Sequence, residues 1–566
     1  MISILIDYKL DKYSREIKFA FDFIFETLGF SHRFITDNSH LRQHDILLLY
    51  GLIEPTIEEL KQLTRQYITL FIPAEPRLYE PKAILPDQLR RLLREIKIFT
   101  PTPVVSEKKF DYPAENYTEL DIYGCKINFD LPGNIFYHLA NLEEAADPTR
   151  DHDGCFPETA SAFYQWRDIP FIDNFLWLLD NLLKEQARAK DQYLVQKHYW
   201  PKAQDMAVAL THSVDELQKW DFNSLFFSVL DDLSLLLTFR WKTLFRNIWS
   251  KLKYIFTNYE MYWNFQEYQS LEKELHLRST WFIAAERTRE IDYSLDDLDL
   301  QDEIKLILRQ GNEIGLLTTD DNLNRDAWAA RRQIMLRQLQ KDVLGIRQRD
   351  FCLNEKTRDL HEKMEVSYDS GPAFKETAGF RHGLIFPYFP WHVFLKSNHP
   401  ELPVCFRDSC LKTGKYSQIG LEDAKQLFKK VFQAVRRRKG LLSLDFTLAN
   451  YADISYCSKL YAYLLALIKA EKAYVATLTE LSDWWNLRNL VTIEESEFDF
   501  SLSFPVGVES FAIQYFGKMA ILQVEGADAK IEGKTISFSN LKPDTVAVVR
   551  LGRNESESSL RQNVIA

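Results

Sequence analysis

The feature that most constrains this chain is a long alternation of apolar, strand-like runs and amphipathic helical patterns between about residues 205 and 485. It opens on Met206–Leu210, an uninterrupted apolar run that ends in Thr211-His212-Ser213-Val214-Asp215-Glu216. A short apolar run bounded by polar residues fits a strand buried on both faces, the signature of a parallel sheet. Helical patterns follow from Leu225 to Glu274, then the strand-like Ser279–Ala284, a helix near Leu300–Gln310 and another strand at Asn312–Leu317. The alternation continues to about Trp485. Over roughly 290 residues it predicts a (β/α) barrel or a related layered α/β domain.

The flanks differ from this middle. In the first third, β-rich runs (Ile2–Ile6, Asp45–Tyr50, Ile68–Ile72) alternate with helical patterns at Ser14–Leu28 and Thr56–Gln66, and a long amphipathic helix follows at about Ile172–Ala187. That is a further α/β unit. From about Leu490 the pattern becomes five short β-rich runs punctuated by Gly507, Gly517, Gly526, Gly533, Asn540 and Pro543, which predicts a small all-β module. The expected units are therefore an N-terminal α/β domain over 1–195, a barrel over 196–488 and a β-rich module over 489–566 with a frayed tail.

Composition removes several function classes. The chain has 70 Lys and Arg against 81 Asp and Glu, a net charge of −11, which disfavours nucleic acid as the main partner. The one basic run, Arg436 to Lys439, follows the helical pattern Leu421–Val435, where cations complement a helix C-terminus. No stretch reaches the length of a membrane-spanning helix. The six cysteines form no C-x-x-C pair and do not amount to a disulfide framework in a chain of this length. The N-terminus lacks the basic and apolar regions of a secretory signal, so the expected location is cytoplasmic.

Generic motifs fail on inspection. Gly533-Lys534-Thr535 lacks the spacing and context of a phosphate loop. His40 and His44 lack a third ligand nearby. Asp320, Asn322 and Asn324 lack the glycine and closing glutamate of a calcium loop. A more informative set runs in order along the middle: Thr211-His212-Ser213-Val214-Asp215, Ser279-Thr280-Trp281-Phe282-Ile283, Gly311-Asn312-Glu313-Ile314-Gly315-Leu316, Tyr368-Asp369-Ser370, Gly379-Phe380-Arg381-His382-Gly383 and Leu441-Leu442-Ser443-Leu444-Asp445-Phe446, closing on a helix that ends near Glu480-Leu481. This order resembles the polysaccharide deacetylase family, the NodB-like carbohydrate esterases. In the first third, Phe136-Tyr137-His138-Leu139, Glu143-Glu144, Asp153-Gly154 and Ile169-Pro170-Phe171-Ile172-Asp173 resemble a domain of unknown function that often precedes this branch.

The resemblance implies a distorted (β/α) barrel with its site at the C-terminal strand ends. It implies a divalent, zinc-like metal that polarises an acetyl carbonyl and acidifies bound water. It also implies an aspartate base and a late-strand histidine acid. Carried over residue by residue, the set is depleted. Asp215 keeps the metal-binding aspartate, but Ser213 stands at the base position. Leu317 stands where a metal histidine belongs, Asp321 falls near the second histidine, Thr447 follows Phe446 where the acid histidine is expected, and Arg349 replaces a frequent histidine after Arg347-Gln348.

Two readings follow. The first is a catalytically degenerate, deacetylase-like protein with no cofactor that binds a glycan or scaffolds a protein partner. Its contacts are expected from His212, Arg347, Arg381, His382, Tyr388 and Trp391, with Phe380, Phe389, Tyr262 and Trp263 as further stacking surfaces. The second is a working metal-dependent N-deacetylase using Asp215, Asp321 and a histidine drafted from elsewhere, such as His212 or His382. A purely structural interaction protein that docks through its β tail is a third.

Overall fold

The computed structural model describes residues 1–552 except 81–83, 85–87, 92–104, 107–108, 111–116, 122–123, 153, 221–224, 226–227, 229–231, 235, 240, 258–259, 320–324, 341, 344, 354 and 414–415. Asp321, Asp153 and the expected frayed tail lie outside the described residues.

The middle of the chain folds as a distorted (β/α) barrel. Its parallel strands are β1 (Met206–Val214), β2 (Ser279–Ile283), β3 (Glu313–Thr318), β4 (Gly345–Gln348), β5 (Tyr368–Asp369), β6 (Phe406–Arg407), β7 (Leu441–Asp445) and β8 (Ala473–Val475). They are ordered β5-β4-β3-β2-β1-β7-β6, with β8 paired to the start of β1. The apolar run foretold β1, but the strand continues through Thr211-His212-Ser213-Val214 and is buried along its whole length. The polar end stays in the sheet because each side chain there finds a partner, as described below. Residues 400–407 bring the open edges together. Asp369 N donates to Pro400 O (3.0 Å), Leu402 N to Asp369 O (2.8 Å) and Cys405 N to Ser443 O (3.1 Å).

The N-terminal domain is a six-stranded sheet ordered His32–Ile35, Ile2–Ile6, Ile46–Gly51, Ile68–Pro73, Gly124–Ile127 and Tyr117–Asp121, antiparallel only at its last pair. The helix Ser14–Leu28 lies where its apolar period placed it and ends on Gly29 at φ +81°, the left-handed conformation that glycine adopts without penalty. The helix Phe171–Ala189 packs into the same core. At the other end of the chain, two four-stranded antiparallel sheets enclose Phe500, Leu502, Phe511, Phe538 and Val549. One of these sheets takes its edge strand, Leu194–Lys197, from the far side of the barrel sequence: Ile513 pairs with Lys197 and Phe516 with Leu194. The position near 195, read from sequence as a junction, therefore lies inside a strand.

Cys155 and Cys352 form a disulfide that joins the N-terminal third to the barrel across 197 residues. The other four cysteines are buried and stand outside any disulfide. A single bridge is not a framework, but spacing gave no sign of it, because its halves meet only through the tertiary fold.

Candidate functional site

The C-terminal strand ends of the barrel hold a dense polar cluster. Alternation along β1 decides which of its side chains belong there. Thr211 and Ser213 point into the barrel. Arg347, from β4, is fully buried and sits between them and β7: Nη1 donates to Asp445 Oδ1 (2.6 Å) and Ser213 Oγ (3.1 Å), while Nη2 donates to Thr211 Oγ1 (2.7 Å) and Ser370 Oγ (2.6 Å). Ser213 Oγ donates in turn to Asp445 Oδ1 (3.0 Å). Arg407 Nε reaches the other carboxylate oxygen at 3.3 Å. The Arg347 and Arg407 guanidinium groups lie 5.0 and 4.5 Å from the centre of the Phe351 ring, a cation–π arrangement that helps hold two buried cations. Asp445 was read from sequence only as part of a motif, with no role assigned, and Arg407 and Asp350, which closes on Arg407 at 3.7 Å, were not read at all. Their signal was a charge at the end of an apolar strand run.

Asp215 sits at the rim of this cluster. Its neighbour is Arg349, with Nε 3.8 Å from Oδ2, and Arg349 also bridges to Glu290 (2.8 Å) and Asp350 (3.3 Å). Burial raises the Asp215 carboxyl to about 6, while the Arg349 guanidinium pulls it back down. Thr447 stands beyond β7 with its backbone N–H donating to Asp408 Oδ1 (3.1 Å), and Asn450 Nδ2 donates to the same oxygen (2.8 Å). The other Asp408 oxygen is buried without a hydrogen bond, and burial raises this carboxyl to about 8.

The remaining residues expected at the site separate. His212 is a correction: it has no exposed surface, because alternation turns it out of the barrel toward the helices. There Nε2 meets Glu272 Oε1 at 2.8 Å, Nδ1 meets Phe446 O at 3.1 Å, and the ring stacks on Trp281. It can reach neither a metal nor a ligand at the strand ends. Arg381 and His382 are also elsewhere. Arg381 pairs with Glu144 of the N-terminal domain (2.8 Å), His382 Nδ1 lies 2.8 Å from the Tyr388 hydroxyl, and that hydroxyl donates to buried Glu401. Together with Phe380 N donating to Arg167 O (2.8 Å), these contacts form the seam between the first third and the barrel. Gly379 makes this approach possible: it holds φ +138°, and a Cβ there would lie 2.3 Å from Arg167 O. Stacking platforms are a further correction. Phe380, Tyr388 and Tyr262 are buried, and Trp391 packs on Phe19 and Phe136 in the N-terminal core. Phe389 is half-buried with the Lys396 ammonium 4.8 Å from its ring centre.

Beside the cluster lies an open cleft of about 1030 Å³. It begins at Leu217, two residues past Asp215, and its wall includes Tyr293, whose hydroxyl donates to Val214 O (2.6 Å). Six lining residues are carboxylates (Glu260, Asp292, Asp297, Asp299, Asp302 and Glu303) against one cation, Arg287, and Trp263 contributes a half-buried indole. Burial and the nearby Asp292 raise Glu260 to about 7.

At the positions the resemblance gives to a divalent metal, the described residues supply an incomplete donor set, and Asp321 lies outside them. Buried Leu317 offers no donor, Asp215 already faces a guanidinium, and among the described residues no group of three His, Cys, Asp or Glu side chains is placed to hold a metal ion.

Comparison with known proteins gives the following. No curated protein matches the chain. Among solved structures, a protein from Mycobacterium smegmatis described as a polysaccharide deacetylase is 17% identical, with 53% of this chain and 96% of that chain covered and a TM-score of 0.34. The Puue allantoinase is 13% identical over 51% and 93% of the two chains, with a TM-score of 0.36. A CE4-family pseudoenzyme from Bacillus anthracis is 10% identical over 50% and 67%, with a TM-score of 0.26. Residues 6–188 match a family model described as a family of unknown function, DUF7033.

Proposed function

We propose that this chain is a deacetylase-like, glycan-binding protein whose strand-end centre has exchanged metal chemistry for an internal ion-pair network. The observation that carries this reading is the Arg349 guanidinium 3.8 Å from Asp215, a fixed cation where the resemblance implies a divalent metal. At the base position Ser213 offers only a hydroxyl, which donates to Asp445, and that carboxylate is itself engaged by Arg347. The acidic cleft with Trp263 on its wall is the surface for the ligand. Carboxylates there would favour a glycan with free amines, and an indole gives a sugar face something to lie on. The Cys155–Cys352 disulfide favours an oxidising compartment over the cytoplasm expected from the N-terminal residues.

The test is calorimetric titration with glucosamine oligomers and their N-acetylated counterparts, alongside an acetate-release assay with added zinc. The reading expects binding of the amine-bearing oligomers, weakened about tenfold or more by Trp263→Ala, and no acetate. Acetate released at a rate that falls in Asp215→Ala would replace it with the working N-deacetylase.

A further inference from the structure

Between β1 and β2 the chain carries an amphipathic helix, Trp241–Thr257, that is mounted inside out. Its inward face is narrow. Leu244 and Ser250 are buried, Ser250 Oγ accepts from Trp220 Nε1 (3.0 Å), and Lys251 turns in to Asp232. The opposite face repeats at helical spacing and is the larger apolar one: Phe245 is 69% exposed, Trp249 67% and Phe256 79%, with Ile248, Leu252 and Ile255 between them. Leu233, Leu237 and Phe239 of the preceding turn extend the same exposed patch. A run this large and contiguous is a docking surface rather than scattered surface residues.

Charge decides the occupant. From Leu233 to Tyr259 the sequence has five basic residues (Arg240, Lys242, Arg246, Lys251 and Lys253) and no acidic one, in a chain whose net charge is −11; of these, Lys251 pairs inward with Asp232, just before the span. A second copy would bring two such basic segments together, which costs free energy. An anionic surface is attracted. Exposed Trp and Phe beside Lys and Arg, on a helix with one broad apolar face, is the composition of helices that lie in the lipid interface. Among the described residues no helix is long and apolar enough to cross a membrane. We infer that the helix Trp241–Thr257 docks this protein onto anionic phospholipid, parallel to the surface and with its apolar stripe below the headgroups.

The test is co-sedimentation of the full chain with vesicles of phosphatidylglycerol and phosphatidylcholine, against vesicles of phosphatidylcholine alone. Most of the protein should pellet with the anionic vesicles at low salt. Phe245→Glu/Trp249→Glu/Phe256→Glu should reduce partitioning at least tenfold, and Lys242→Glu/Arg246→Glu, which keeps the apolar stripe, should do the same on anionic vesicles only. Unchanged urea midpoints would show that both variants are folded. Quenching of wild-type tryptophan fluorescence by brominated lipid gives a readout that needs no variant. Wild-type protein left in the supernatant without quenching would overturn the inference. So would equal pelleting of wild type and the apolar-stripe variant, or a lipid-free wild-type dimer that the stripe variant converts to monomer.

Discussion

The strand-end centre and the helix Trp241–Thr257 invert the usual partition in opposite ways. The centre buries charge, with Arg347, Arg407 and Asp445 all almost wholly out of water. The helix exposes apolar surface. The centre is self-sufficient: each guanidinium faces a carboxylate or an aromatic ring of the same chain. The helix is not, because nothing in the chain covers its stripe among the described residues. A buried ion-pair network whose charges are matched within one chain needs no outside partner to balance them. An apolar face left incomplete points to something outside the chain.

The largest effect is expected at Arg347. Arg347→Met should destabilise the protein by about 3–5 kcal/mol in urea unfolding, because it strands Asp445 in the barrel interior. A loss below about 1 kcal/mol would mean that the network is not structural.

The second effect is on pH dependence. The Asp408 carboxyl is raised to about 8 in the fold, so the native state holds a proton that the unfolded chain releases from about pH 4 upward. Stability therefore falls as pH rises from about 4 to about 8. Asp408→Asn keeps an acceptor for Thr447 N and Asn450 and should flatten that slope, matching wild type near pH 4 and exceeding it near pH 8. Equal slopes in denaturation curves across that range would contradict the assignment.

A third test concerns Arg349. Since its guanidinium lowers the Asp215 carboxyl, Arg349→Ala should move that carboxyl upward from about 6, as followed by carbon NMR of the aspartate side chains. An unmoved resonance would detach Arg349 from the centre. The smallest effect belongs to the helix. In lipid-free solution Phe256→Ser should change stability by no more than about 0.5 kcal/mol, since an exposed side chain leaves no cavity. A larger loss would place that stripe inside the fold.

Much of the frame was legible from periodicity. Ser14–Leu28, Ser279–Ile283 and Leu421–Arg438 lie where their apolar spacing predicts, because long runs with one buried face carry a strong local signal. Tyr368–Asp369 and Phe406–Arg407 are two-residue strands, too short to show any period. The edge strand Leu194–Lys197 finds its partner more than 300 residues away, and nothing local marks that. At the site, motif order brought Ser213, Asp215, Arg347 and Thr447 to the strand ends, and β1 alternation alone would have turned His212 outward. The Arg349–Asp215 contact and the Arg381–Glu144 seam depend on where separate loops meet. Helical spacing likewise marks Trp241–Thr257 as amphipathic without saying which face looks inward.

The Arg349 guanidinium lies 3.8 Å from the carboxylate that would bind a metal in the resemblance. The most direct test is equilibrium dialysis of the purified full chain against zinc, with metal content read by elemental analysis for wild type and Asp215→Ala. If Arg349 has replaced the metal, both proteins should bind the same amount of zinc, well under one equivalent. One equivalent bound by wild type and lost in Asp215→Ala would contradict it.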